Sequence, residues 1–420
     1  MEFSIRPLKL KRIRVWLQDK DYFDDLVKAL NDFGEFHPSV IAKLPAGSKS
    51  ESYIAGWVPA AAQMEASQLI REVTAGRSVV KFEDPILGDD VPTLTSHGRF
   101  LQPFEKLVRS FGIPSPWEID PTPFVALSFM LIFGFMFADV GHGLILALIG
   151  VLVMVFGGRV KNKSDLLSYV LDNGSLFIIC GISGILGGIL LGEFFGYEVE
   201  LMSFQIVLPR PIGIVFPFKP MEEPMKMFKL SLFIATIHIT LGLMLNLANK
   251  LSNGQYREAL FEPVVWLWFY LGLMFCVFSY KLDLGAWARS PLLLWTMILP
   301  LALMIAGKAV KEGLDGLIFF IEAVISTISN TISYLRILAL SLVHGVMSKM
   351  IITVGGGSPA VVILGSFAVI ALEGLLIFIH TTRLVWVEWF SKFYKGEGRP
   401  FKHLDLAELG TVSIERPYKE

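Results

Sequence analysis

Ser333-Tyr334-Leu335-Arg336-Ile337-Leu338-Ala339-Leu340-Ser341-Leu342-Val343-His344 lies inside an apolar stretch of about 40 residues, Leu314 to Val354, that reads as one uninterrupted membrane-buried helix. A guanidinium does not shed its charge, so at bilayer depth Arg336 must face protein, water or an opposite charge rather than lipid. At about 1.5 Å per residue the helix would be about 60 Å long, twice the hydrocarbon thickness, so it must tilt or project into the cytoplasm. Gly355-Gly356-Gly357-Ser358-Pro359 then turns the chain into a second long apolar stretch, Pro359 to about Phe393. The two are expected to form an antiparallel hairpin.

The rest of the chain agrees with a membrane setting. Of 420 residues, 53% are hydrophobic and only 18% charged, which predicts an α-helical polytopic membrane protein. Six further spans are expected before the hairpin, at Phe124–Ala138, Gly143–Phe156, Ser175–Phe195, Met227–Ala248, Pro263–Tyr280 and Pro291–Ala306, giving about eight in all. An even number returns both termini to one side. Basic residues number eleven on the loops and tail of that side, among them Arg159, Lys250, Lys308 and Lys395, against six on the other, which predicts cytoplasmic termini. A net charge of -1 gives no sign of nucleic-acid binding, and Cys180 and Cys276, both in apolar stretches, read as packing residues. The opening residues lack the apolar run of a signal peptide, and the head is expected to stay in the cytoplasm.

That head, residues 1–84, is charged and mixed. Lys9–Gln18 alternates like a strand, Asp21–Phe33 has helical spacing, and Gly34–Ala42 can return as a strand. The order then repeats with strand Ser52–Val58, helix Ala60–Thr74 and strand Arg77–Phe82. Two βαβ halves predict a small α+β domain of ferredoxin-like type, a docking module more often than an enzyme. Residues 85–122 read as a linker with an amphipathic helix at Phe100–Phe111, residues 123–393 as the membrane domain, and 394–420 as a tail. Asp120-Pro121-Thr122-Pro123 is expected to block any helix before the first span.

The hairpin carries the chemistry. On a continuous helix Glu322, Ser326, Ser329, Ser333 and Arg336 fall within about 80° of one another, with His344 to the side. On the returning helix Glu373 and His380 are nearly eclipsed, with Arg383 one turn beyond and Glu388 near the end. These groups can pair as structural ion pairs or line an ion pathway, and two arginines, two glutamates and two histidines along tilted helices favour the pathway. There is no P-loop, HExxH or Gly-x-Ser-x-Gly, and no cofactor is expected. The Asp139-Val140-Gly141-His142-Gly143 box lacks the ligand spacing of a metal site, His142 reads as structural, and Glu193 reads as interfacial.

The Ser333–His344 run resembles the signature helix of subunit a, or subunit I, of V-type and A-type rotary ATPases. Thr382-Arg383-Leu384-Val385-Trp386-Val387-Glu388-Trp389, Asp120-Pro121-Thr122-Pro123-Phe124, the Asp139–Gly143 box and Gly192-Glu193-Phe194-Phe195 resemble further motifs of that family. The resemblance implies a non-catalytic membrane stator beside a ring of proteolipid c- or K-type subunits, joined to peripheral stalk subunits and a central-stalk collar subunit. By position, Arg336 matches the essential arginine and Arg383 its companion, while Glu322, His344 and Glu373 fall among half-channel polar groups. With the half-channels that the resemblance implies, Glu373 and His380 are expected to line one and Glu322 to open toward the other, with Ser333 on the same stripe as Glu322. Family members insert a long coiled-coil arm in the head, where Lys43–Ser52 here offers only a short loop. The alternative of a self-contained secondary transporter or channel would require inverted repeats around a midplane site, and no convincing repeat is seen.

Overall fold

A computed structural model describes residues 6–17, 35–36, 52–86, 88–157, 171, 173–199, 205–208, 212–280, 283–312, 314–355 and 358–401. The expected helix at Asp21–Phe33 and nearly all of the Lys43–Ser52 loop lie outside them. The chain divides into two compact units, one of Met1–His97, Arg109–Asp120 and Lys395–Glu420, the other of Gly98–Val108 and Pro121–Tyr394.

In the first unit, strands β1 (Leu10–Leu17), β2 (Glu35–Phe36), β3 (Ser52–Pro59) and β4 (Ser78–Glu83) form one antiparallel sheet in the order β2-β3-β1-β4. The period-2 pattern of β1 turns Ile13 and Val15 to one face, where they meet Val58, Ala66 and Ile70. Ala66 and Ile70 lie on helix α1 (Gln63–Val73), which follows a single 3-10 turn, Ala60–Ala62. It stops where Thr74 Oγ1 donates to the Ile70 carbonyl at 2.6 Å and Ala75 and Gly76 take left-handed backbone. A second cluster joins Leu10, Trp57 and Val91, with Trp117 and Phe401 packed against it. The short strand β5 (Pro92–Thr93) pairs in parallel with a tail strand, Arg399–Pro400. Parts of the stretch expected as linker therefore share a compact unit with the head strands and the tail. Burial raises the Glu118 carboxyl above its usual range, partly offset by backbone N–H groups of Ser115 and Lys395 that donate to it at 3.3 and 3.2 Å.

The second unit is mostly helical. Helix α2 (Gln102–Phe111), whose residues through Val108 belong here, precedes α3 (Thr122–Met136) and α4 (Val140–Phe156). Residues 112–121 carry no helix, as expected, and α3 opens at Thr122, two residues before the expected start, with Pro123 in its first turn, where a missing N–H costs nothing. Next come α5 (Gly174–Leu191), α6 (Pro224–Ser252), α7 (Tyr256–Tyr280), α8 (Leu284–Arg289) and α9 (Leu299–Glu312). The last three are α10 (Leu314–Ser333), α11 (Leu335–Gly355) and α12 (Pro359–Arg383), the last continued by a π-helical stretch, Leu384–Trp389. Among the described residues five helices are long and apolar enough to cross a membrane, and three shorter apolar helices accompany them.

Helices α4 and α5 approach closely because glycines face each other. A Cβ on Gly181 would lie 2.5 Å from the Ala147 nitrogen, and one on Gly143 would lie 2.8 Å from the Gly181 carbonyl oxygen. Small residues at such crossings let backbones pack where lipid supplies no hydrophobic drive.

The stretch Leu314–Val354 is not one uninterrupted helix, contrary to the sequence expectation. At Tyr334 the backbone tightens: its N–H donates to Thr331 at 3.2 Å, and the Ile337 N–H donates to the Tyr334 carbonyl at 2.9 Å. Such i to i−3 bonds advance the chain by about 120° per residue rather than 100°. The stripe through Glu322, Ser326, Ser329 and Ser333 thus loses phase just before Arg336.

Candidate functional site

Helices α11 and α12 pack on each other, and both also pack on α3. Between them, Arg336 Nη1 donates to Glu388 Oε1 at 3.0 Å, with the Glu388 side chain 2% exposed and that of Arg336 22%. Glu388 stands in the π-helical stretch after α12, a winding that displaces a side chain from its regular α-helical position. The groups next to the pair are tied down by α6. Tyr334, fully buried at the helix break, shares a hydrogen bond of 2.7 Å with Nδ1 of His238. The His238 ring stacks on Trp389 with centroids 4.6 Å apart. One histidine thus holds the residue two before the arginine and the residue after its carboxylate.

A second polar layer lies two turns further along α11. His344 Nδ1 and Glu373 Oε2 are 2.7 Å apart, and both residues are buried. The His142 ring meets His344 edge to face at 5.3 Å, and Phe137 covers His344 at 4.9 Å. His142 comes from the first turn of α4, capped by Asp139. The Asp139 carboxylate accepts from the backbone N–H of His142 at 2.9 Å, Phe195 at 2.9 Å and Gly196 at 2.7 Å. Phe195 and Gly196 are the two-residue loop of a hairpin between β6 (Glu193–Phe194) and β7 (Tyr197–Glu198), and both have positive φ. A left-handed phenylalanine is uncommon outside such turns, and the buried carboxylate holds it there while its ring covers His142 at 5.4 Å.

Of the seven residues expected to form the ion path, His344 and Glu373 meet directly. Arg336 meets Glu388, which the sequence placed on the returning helix without assigning it as partner. Ser333 and His380 are half-buried, while Glu322 and Arg383 are exposed. Although seven residues apart, Glu373 and His380 differ in setting, one buried against His344 and the other open on one side. Sequence reading passed over His238 and gave Asp139 and His142 no partner in α11. A histidine inside the apolar run of α6 was itself a signal, since an ionisable group at such depth needs a reason.

The last two long apolar helices are the least covered. Only 33% and 28% of their most apolar windows are buried, against 50% and 56% in α5 and α6.

Fold and site define a helical membrane protein in which the last two long helices and the stretch that continues them meet through two polar pairs, Arg336–Glu388 and His344–Glu373. The chain belongs to the V-type ATPase 116kDa subunit family, whose model matches residues 44–209 and 313–406, more than half of its length. It is similar to the A-type ATP synthase subunit I of Thermococcus kodakarensis, 28% identical over 91% of this chain and 58% of that protein. It is also similar to the A-type ATP synthase subunit I of Methanocaldococcus jannaschii, 28% identical over 83% of this chain and 54% of that protein. A third relative, V-type ATP synthase subunit I 2 of Treponema pallidum, is 31% identical over 50% of this chain and 48% of that protein. The chain thus spans little more than half the length of the curated relatives that it matches along most of its own.

Proposed function

We propose that the chain is the membrane stator subunit of a V/A-type rotary ATPase or ATP synthase, forming two ion half-channels for protons or sodium against a proteolipid ring. Arg336 is the fixed cation that forces each passing ring carboxyl into its ionised form and blocks direct leakage between the half-channels. Arg383, Glu322, Glu373, His344, His380 and Ser333 line the approaches, and ATP chemistry belongs to other subunits. The observation that carries this reading is the arrangement of Arg336. It is anchored on one side by Glu388 yet 22% exposed, on the two long apolar helices least covered by the chain itself. A guanidinium so placed needs a further partner, and a ring carboxyl supplies one.

The remaining features follow from the same reading. The five long and three shorter apolar helices correspond to eight spans, with both termini cytoplasmic in a cell membrane. The sheet order β2-β3-β1-β4 supports the ferredoxin-like head, and that head faces the peripheral stalk and central-stalk collar subunits. The test is Arg336→Ala in the complex reconstituted with its ring into vesicles. ATP-driven ion uptake is expected to vanish, and uptake at the unmodified rate would refute the assignment.

A further inference from the structure

The second polar layer brings together three side chains that can ligate a metal, two of which, Asp139 and His142, lie outside the proposed ion path. Asp139, His142 and His344 each offer one such atom, all within 4.8 Å of one another, and the three residues are 0%, 1% and 1% exposed. An ionised carboxylate has about four lone-pair positions. Three of those on Asp139 are taken by backbone N–H groups, two on Oδ1 and one on Oδ2. The fourth is on Oδ2, the oxygen that stands 3.4 Å from His142 Nδ1. That is long for a hydrogen bond, and Nδ1 makes none. It is, however, the edge of a tetrahedron built on metal bonds of about 2.0–2.1 Å, which comes to about 3.4 Å.

His344 is oriented to match. Its Nδ1 is held by Glu373, while its Nε2 is buried without a hydrogen-bond partner. A carboxylate on the second ring nitrogen fixes the tautomer and orientation of a metal-ligating histidine. The rings of Phe137 and Phe195 wall the cluster. A plain N-cap accounts for Asp139 but leaves both imidazole nitrogens unmatched.

We propose that Asp139, His142 and His344 bind one divalent transition-metal ion of the zinc class, with Glu373 behind His344 and a fourth position for water. Two imidazoles and one carboxylate suit zinc or cobalt, whereas magnesium and calcium take oxygen ligands. His344 and Glu373 also belong to the proposed ion path, so a bound ion would obstruct it. That consequence rests on the functional reading, and the site itself does not.

The test uses the purified full chain in detergent with Co2+ as the spectroscopic probe. One Co2+ per chain is expected, with the intense visible absorption of tetrahedral coordination, displaced by Zn2+ but not by Mg2+. His142→Gln and His344→Gln should each weaken binding by about tenfold or more. His142→Cys should retain binding and add a sulfur-to-cobalt charge-transfer band, which a misfolded site would not give. Absence of Co2+ above a detergent blank, or unchanged affinity in both glutamine variants, would overturn the site. Zinc inhibition of pumping by the reconstituted complex is read separately, so bound metal without inhibition would count against the half-channel and leave the site standing.

Discussion

Replacing Asp139 by alanine should unfasten the turn between α3 and α4 from the β6–β7 hairpin. The fully buried carboxylate accepts three backbone N–H groups, from His142, Phe195 and Gly196, at 2.7–2.9 Å. Each buried donor stripped of its acceptor costs about 1–3 kcal/mol, the His142 bond being the N-cap itself. Because the three bonds share one side chain, the losses overlap, and we expect about 3–6 kcal/mol, roughly a hundredfold to ten-thousandfold in the folding equilibrium. Asp139→Asn should fall between the two proteins at about 2 kcal/mol. It keeps one oxygen toward His142 and Phe195 but can set an amide N–H against that of Gly196. Denaturant titration in detergent micelles, followed by tryptophan fluorescence, measures all three proteins side by side. If Asp139→Ala stays within about 1 kcal/mol of the unmodified protein, the carboxylate is not the fastener inferred from these distances.

Glu388→Gln turns the ion pair with Arg336 into a bond from the guanidinium to a neutral amide oxygen, and ATP-driven ion uptake in reconstituted vesicles should drop by about tenfold. An undiminished rate would mean that Arg336 is held without Glu388. Gly181→Leu places a side chain where a Cβ alone meets the Ala147 backbone nitrogen at 2.5 Å; α4 and α5 must part, with a loss of about 3 kcal/mol seen as a lower melting temperature in detergent. For Glu118 the folded-state pKa is raised, so its carboxyl favours folding below the unfolded value and loses that contribution as pH rises through the folded one. The stability of Glu118→Gln relative to the unmodified chain should therefore improve as pH rises above the ordinary carboxylate range, and a constant difference would contradict the half-buried setting.

Much of the helical plan was legible because apolar length is a strong signal. The hairpin of α11 and α12 follows from two long apolar runs joined by a short turn, and the need of Arg336 for a partner follows from the cost of charge at bilayer depth. The break at Tyr334 was hidden, since a tyrosine favours no particular winding there and the hydrogen bond that holds its ring comes from His238 on a distant helix. Pairings were hidden for the same reason. Glu373 stands at helical spacing from His380, yet it bonds His344 on the other arm. Asp139 and His142 read as a cap and a lone histidine until α11 brings His344 beside them. The parallel pairing of Pro92–Thr93 with Arg399–Pro400 involves two residues on each side, too short for any periodic signal.

That last pairing bears on biogenesis. A ribosome delivers Pro92–Thr93 long before Arg399–Pro400, and the long and shorter apolar helices found among the described residues are all made in the interval. Phe401, which packs beside Trp57 and Val91, arrives with the tail. The N-terminal sheet can therefore close early, but its unit stays unfinished until the final helix has emerged. A chain whose insertion stalls would carry a visibly incomplete head, a mark by which quality control can tell finished copies from aborted ones.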